Sequence, residues 1–429
     1  MKVGHIIKNE RMRQGMKQVV LAKGICTSSY LSRIEQEIII PSEEIVLLLL
    51  KKLNLDISKI RKSTFEEDAS FSEYLNSIYK DVIINKNKLT TQQRLEELQN
   101  INYLFESQAL YYTYLLVLLR LRLIIGEDFT EIKLELQYLN GLSSNFNPQQ
   151  IYLLSINNAI YSYLISNYKE AIHYFEQAQS IDLKLEDWEQ AELNYMIALT
   201  YITNDQTTIS VHYLNKALDY FKDHFCMDRV IDCHLLIGIT YKKNGHFNEA
   251  LNHYLKAKEI SEKFNLGDDH FGIIHHNLGS LSISMGNREE GIRHFYKSLE
   301  YKNGKSKLIT ILGLVIEYSK MKNTKLIIKW CNEGLQLLND LVDESLISYE
   351  HHFTFYKSLY QADDSSIFAA ENAIKYFFET QNYYYANKYS IALAEWYFSQ
   401  KKYKLSAQYY SEANQYIFKD KSIISWEDL

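Results

Sequence analysis

The sequence predicts an all-α protein: a small N-terminal helix-turn-helix domain followed by a long array of stacked helix pairs. Three observations lead there. The 429 residues include only two prolines, Pro41 and Pro148, and 15 glycines, too few breakers for a chain rich in turns or strands. Apolar residues recur at helical spacing. A pattern of small and aromatic residues returns every 36 to 41 residues from residue 159 onward, the mark of a repeat array. Tyrosine is abundant, at 35 residues, which suits helices that pack with one apolar end and one wet end. A chain this long exceeds a single compact core.

The net charge of −6 hides a split. Residues 1–62 carry 12 Lys and Arg against 6 Asp and Glu, whereas residues 63–429 carry 35 against 47. A basic head on an acidic body is the asymmetry expected when one end meets a polyanion. Cys26, Cys226, Cys233 and Cys331 show neither metal spacing nor a paired framework, as in a reducing cytoplasm. Lys8, Glu10, Arg11 and Arg13 interrupt the N-terminus, so a signal peptide is not expected. The most apolar stretch, Tyr114 to Ile125, is broken by Arg120 and Arg122 and reads as too short to span a bilayer. The expectation is a soluble cytoplasmic protein with no membrane partner.

In the head, residues 1–62, Val3, Ile6, Ile7 and Met12 suggest a first helix closing near Gly15. A second runs from about Lys17 to Lys23, with Val19, Val20 and Ala22 turned inward. Gly24 ends it in the left-handed conformation that glycine adopts cheaply. Thr27 or Ser28 caps the third helix. Leu31 and Ile34 hold that helix to the core, leaving Ser28, Ser29, Ser32 and Arg33 outside. Such a face suits a DNA major groove. Pro41-Ser42-Glu43-Glu44 starts a fourth helix, with acids at the positive end of its dipole. Its body, Ile45 to Leu53, is so apolar that it must be buried in the head or against a partner.

Gln18, Ala22, Gly24-Ile25, Tyr30-Leu31-Ser32, Arg33-Ile34-Glu35 and Pro41-Ser42 resemble, in order and spacing, the Cro/C1-type helix-turn-helix family. The resemblance implies a DNA-binding surface of Gln18, Thr27, Ser28, Ser29, Ser32 and Arg33. Gln18 would touch a phosphate or buttress the third helix, the serines would face base edges or phosphates, and Arg33 a phosphate or guanine. The family usually has a glycine two residues after the glutamate, where this chain has Gln36-Glu37. So small a head requires two copies on a two-fold symmetric double-stranded operator for specific affinity.

Residues 63–150 begin with a short acidic connection, Phe65 to Asp68. Leu75, Ile78, Tyr79, Val82 and Ile83 then repeat at helical spacing. Thr90 or Thr91 caps a helix through Leu95, Leu98, Ile101 and Leu104, and Ile132 to Leu142 continues the pattern. These are either a helical bridge or degenerate repeats.

Residues 151–418 carry the template: a small residue, an aromatic or apolar one at +3, small at +12, aromatic at +16 and small at +19. Gly238, Tyr241, Ala250, Tyr254 and Ala257 fit fully, as do Ala394, Tyr397, Ser406, Tyr410 and Ala413. Further copies start at Ala159, Ala198, Gly279 and Val315, and a weaker one is expected around 348–380. The pattern resembles the tetratricopeptide repeat, whose pairs stack into a right-handed superhelix with a concave groove for extended peptides. With the small residue at position eight, the groove candidates are Asn157, Asn194, Tyr195, Leu235, His276, Asn277 and Ser280. An asparagine amide offers a donor and an acceptor to a peptide backbone. Residues 419–429 read as a C-terminal tail.

No catalytic constellation, cofactor loop or metal set emerges. His275-His276 and His351-His352 are adjacent pairs that do not share a helix face, and HExxH, CxxC pairs and GxSxG are lacking. The two-part architecture resembles the Rap/Rgg/NprR/PlcR/PrgX family of peptide receptors, most closely its NprR-like members. That resemblance implies a DNA-binding transcription regulator, not an enzyme, controlled by a short signalling peptide and acting as a homodimer or higher homo-oligomer. The competing expectation is a Rap-type effector that promotes response-regulator dephosphorylation, with Gln92, Gln93 or Gln99 positioning water.

Overall fold

The computed structural model describes residues 3–55, 68–101, 103, 105, 107–341, 343, 346–361 and 364–421. Among these are 22 α-helices and no strand, so the all-α class holds. The expected boundary at residue 62, the connection before Asp68 and residue Leu104 lie outside the described residues. The chain divides into two compact units, Met1–Thr240 and Tyr241–Leu429.

The first unit opens with α1 (Val3–Arg13), α2 (Gln18–Ala22), α3 (Ser28–Glu35) and α4 (Glu43–Lys52). They enclose Ile6, Ile7, Leu21, Ala22, Leu31, Ile34, Leu49, Leu50 and Leu53. Gly15 and Gly24 both take positive φ, +61° and +81°, where the chain leaves α1 and α2. Thr27 caps α3, accepting from the Tyr30 amide at 3.1 Å. The inward face of α2 differs from the expectation. Gln18, Leu21 and Ala22 stand at i, i+3 and i+4 and share a face, so Val19 and Val20 point out, 67% and 51% exposed. Likewise α4 buries Leu49 and Leu50 but leaves Leu47 and Leu48 exposed. Gly4 allows α1 to cross the end of α3, since a Cβ there would stand 2.1 Å from the Ile34 carbonyl oxygen.

Next come α5 (Asp68–Asn85), α6 (Lys88–Gln99), α7 (Gln108–Ile125) and α8 (Phe129–Gly141). Asn87, rather than Thr90 or Thr91, caps α6 by accepting from the Thr90 amide. Helix α7 is longer than the Tyr114–Ile125 stretch and by length and composition could cross a membrane, yet 67% of it is buried inside the protein. It is the central rod of this region, touching α1, α5, α6 and α8. The Asn9 amide ties head to bridge by donating to the Phe105 carbonyl at 2.9 Å.

Seven helix pairs follow. They are α9 (Pro148–Leu164) with α10 (Tyr168–Ser180), α11 (Asp187–Thr203) with α12 (Thr207–Asp223), and α13 (Met227–Lys243) with α14 (Phe247–Phe264). Then come α15 (Asp268–Ser284) with α16 (Arg288–Tyr301), and α17 (Leu308–Lys320) with α18 (Thr324–Leu341). The last are α19 (Ile347–Gln361) with α20 (Asp364–Glu379), and α21 (Tyr383–Ser399) with α22 (Tyr403–Lys421). The unit boundary falls within α13. The pair expected around 348–380 is α19 and α20. Helix α22 runs three residues into the segment read as tail, whose remainder lies outside the described residues.

The template positions are mostly core. Ala171, Phe175 and Ala178, and likewise Ser210, Leu214 and Ala217, are buried. Gly279 and Gly291 face each other so closely that a Cβ on either would lie under 3 Å from the other's carbonyl oxygen. Tyr410 departs, at 40% exposure. Turns inside the pairs reuse one left-handed residue: Ser166, Asp205, Gly245, Gly286, Lys322 and Lys401 all have positive φ.

Candidate functional site

Helix α3 is fixed from behind by one carboxylate. Glu35 is 1% exposed. Its two oxygens accept from Arg11 Nε at 2.6 Å and Nη2 at 2.8 Å, and from the Gln18 amide at 2.7 Å. The bidentate arginine fork sets both distance and angle. Gln18 therefore buttresses α3 from the start of α2. Outward, Thr27, Ser29 and Arg33 are exposed, while Ser28 and Ser32 are half-buried. Arg33 makes no ion pair among the described residues. Small hydroxyls at the helix start and a free cation one turn on leave room for a phosphate or base edge.

The turn after α3 settles the role of the missing glycine. Glu37 takes φ +55°, and the Glu37 and Ile38 amides donate to the Ile34 and Arg33 carbonyls at 2.9 Å. The left-handed cap forms with an ordinary side chain in the place where glycine fits most easily.

The groove candidates fall into separate surroundings. In the first unit Asn157 is buried and donates to the Leu116 carbonyl at 2.9 Å, so its amide joins α9 to α7 instead of facing solvent. Asn194 is buried and accepts from Gln190 at 3.4 Å, and Leu235 is buried. The Tyr195 ring lies between Lys86 Nζ at 3.9 Å and the Arg229 guanidinium at 4.4 Å. Lys86 is exposed and pairs with Asp232 at 3.4 Å, whereas Arg229 belongs to a buried hub centred on Glu192. Arg120 reaches one Glu192 oxygen at 3.0 Å and Arg229 the other at 2.5 Å. Arg229, fully buried, also donates to the Ile83 carbonyl at 2.8 Å. Burial pushes the Glu192 carboxyl up, but Arg229, Lys86 and Arg120 outweigh it and hold its pKa below the ordinary value.

In the second unit Asn277 is buried, and its amide donates to Ile273 on its own helix at 3.0 Å. His276 and Ser280, one turn apart on α15, are half-buried. His276 Nδ1 lies 3.1 Å from Thr310 Oγ1, its ring stacks on Phe295, and Ser280 accepts from Lys242 Nζ at 2.6 Å. Burial, reinforced by Lys302 and Lys242, lowers the His276 pKa to about 3, so its ring is neutral at physiological pH. Sequence reasoning missed Glu192, Arg120, Arg229, Lys242 and Lys302. The available signal was an acid inside an apolar run, Ala191-Glu192-Leu193, which asks for buried cations without naming them. Gln92 bonds Glu96 on its own helix, Gln93 is exposed, and Gln99 borders a cleft of about 340 Å³ that Arg13, Tyr111 and Glu135 help to line.

A family model described as helix-turn-helix matches residues 7–60, and one described as tetratricopeptide repeat matches 191–224 and 231–264. The transcriptional activator NprA of Geobacillus stearothermophilus is 30% identical over 409 residues, 92% of this chain and 98% of that protein. Response regulator aspartate phosphatase H of Bacillus subtilis is 24% identical over 208 residues, 47% of this chain and 54% of that protein. In fold, the chain is similar to the apo form of the quorum sensor NprR from B. thuringiensis, with a TM-score of 0.62 at 19% identity over 82% of this chain and 99% of the other. It is also similar to a Rap protein solved with competence and sporulation factor, with a TM-score of 0.67 at 18% identity over 83% and 100% of the two chains. Two-part architecture and likeness to NprA from one end to the other agree: the chain belongs to the Rap/Rgg/NprR/PlcR/PrgX family of regulators.

Proposed function

We propose that this chain is a cytoplasmic transcription regulator that binds operator DNA through α3 and is controlled by a short peptide held on its repeats. The observation that carries the reading is the exposed Ser29–Arg33 face on a helix locked from behind by Glu35, Arg11 and Gln18. Such rigidity suits a surface that must meet a duplex in one register. The basic excess of the first 62 residues supports the same partner. Two heads in a homodimer, or in a higher homo-oligomer, would fit a two-fold symmetric operator. The peptide acts by favouring one arrangement of heads over another, which requires that it bind one state more tightly. Of the groove candidates His276 and Ser280 are half-buried and able to meet it, whereas Asn157 and Asn277 are buried and each donates one amide N–H within the fold.

The test begins with selection of genomic fragments by the full-length protein, followed by mobility-shift titration of the enriched site. Arg33→Ala should weaken binding about tenfold, the weight of one phosphate or base contact, with an unchanged thermal melt. Absence of any enriched site, or an unaltered Arg33→Ala titration, counts against the reading.

A further inference from the structure

In the second unit two neighbouring ammonium groups, Lys302 and Lys242, make no ion pair among the described residues. Lys302, just past α16, is 4% exposed, and its Nζ donates to Thr310 Oγ1 at 2.9 Å. Among the described residues it makes no ion pair, and burial is what draws its pKa down to about 8. At neutral pH it therefore stays charged. A buried ammonium without a counter-ion is costly, and folds seldom keep one without use. Here the fold makes room for it: a Cβ at Gly272 would lie 2.6 Å from Lys302 Cγ.

Lys242 is the second. It is half-buried, held by Ser280 at 2.6 Å, and likewise without an ion pair among the described residues. His276 lies near enough to both that each depresses its pKa. Thr310 receives the Lys302 donor and contacts His276 and Ser298. Around this half-open face every other partner named is neutral: a histidine ring and three hydroxyls.

We infer that this face is an anion subsite, in which Lys242 grips a carboxylate of the bound peptide while Lys302, behind Thr310, supplies a second positive charge. It rests on the peptide-receptor reading and specifies what that peptide must carry. The carboxylate comes from an aspartate or glutamate side chain or from the peptide's free C-terminus. Both present the same oxygens to the same cations.

The experiment immobilises the full-length protein and exposes it to four randomised synthetic heptapeptide pools. The pools contain or lack Asp and Glu, and end in a free acid or an amide; retained peptides are quantified by mass spectrometry. At least one carboxylate-bearing pool should be retained at least tenfold over the pool lacking every carboxylate. Comparison of the amidated acidic pool with the free-acid non-acidic pool identifies the source. Lys242→Met and Lys302→Met together should abolish the preference. Lys242→Met alone, at a half-buried site, serves where the double variant does not fold, and should reduce the preference severalfold. Equal retention of the carboxylate-free pool by the unaltered protein overturns the subsite while leaving the receptor reading intact, as does a preference that survives both variants. Retention of no pool removes the receptor reading, and the subsite with it.

Discussion

Glu37 shows how a single residue can keep a turn that its neighbours do not require to be glycine. Its φ of +55° is the conformation that a β-carbon makes expensive. A contact of Glu37 with His5 at 3.9 Å offsets part of this, and as a half-exposed pair it is worth little. Glu37→Gly should therefore stabilise the head by about 1 kcal/mol, seen as slower amide hydrogen exchange across α1 to α4. Faster exchange would mean that the His5 contact outweighs the backbone strain. The departure was visible in the sequence, because the family pattern marks that position. What the letters Gln36-Glu37 lacked was the backbone angle, which the crossing of α1 at Gly4 and the two amide bonds after α3 impose.

At the scale of elements, helix pairs were legible because their small residues are fixed by close backbone approach. Gly279 and Gly291 make the point: nothing larger fits between α15 and α16. The faces of short helices were not legible. Five-residue α2 offers too little periodicity to tell Val19 from Leu21, and the third dimension decides. The Glu192 hub escaped for a related reason, since its partners come from α7 and α13, far apart in sequence. Glu192→Gln should cost roughly 3–5 kcal/mol, because it strands two buried guanidinium groups. The urea midpoint of the full-length protein should drop accordingly. A midpoint within error of the unaltered chain would show that water or rearrangement replaces the carboxylate.

Across the whole molecule, buried histidines set the pH response. Burial lowers His276 and His352 to about 3 and His275 to about 4. Lys242 and Lys302 face His276, Lys388 and His351 face His352, and His294, Lys297 and Lys258 face His275. Each folded value lies below the unfolded one near 6.5, so the neutral form is the one the fold accepts. Their contribution is complete above pH 6.5 and is lost as pH falls toward those values, at up to about 1.4 kcal/mol per pH unit per histidine. Urea midpoints should rise slightly from pH 7 to 8 as folded Lys302 loses its proton, and fall between pH 6.5 and 5, with a shallower fall in His276→Asn. A flat profile down to pH 5 would contradict the buried neutral rings. The Glu192 hub has another consequence, for recombination. Because Ile83, Arg120, Glu192 and Arg229 answer one another across α5, α7, α11 and α13, a chimera that joins this bridge to foreign repeats after residue 150 would inherit half a charge network. Viable exchanges between relatives must carry residues 68–240 as one cassette.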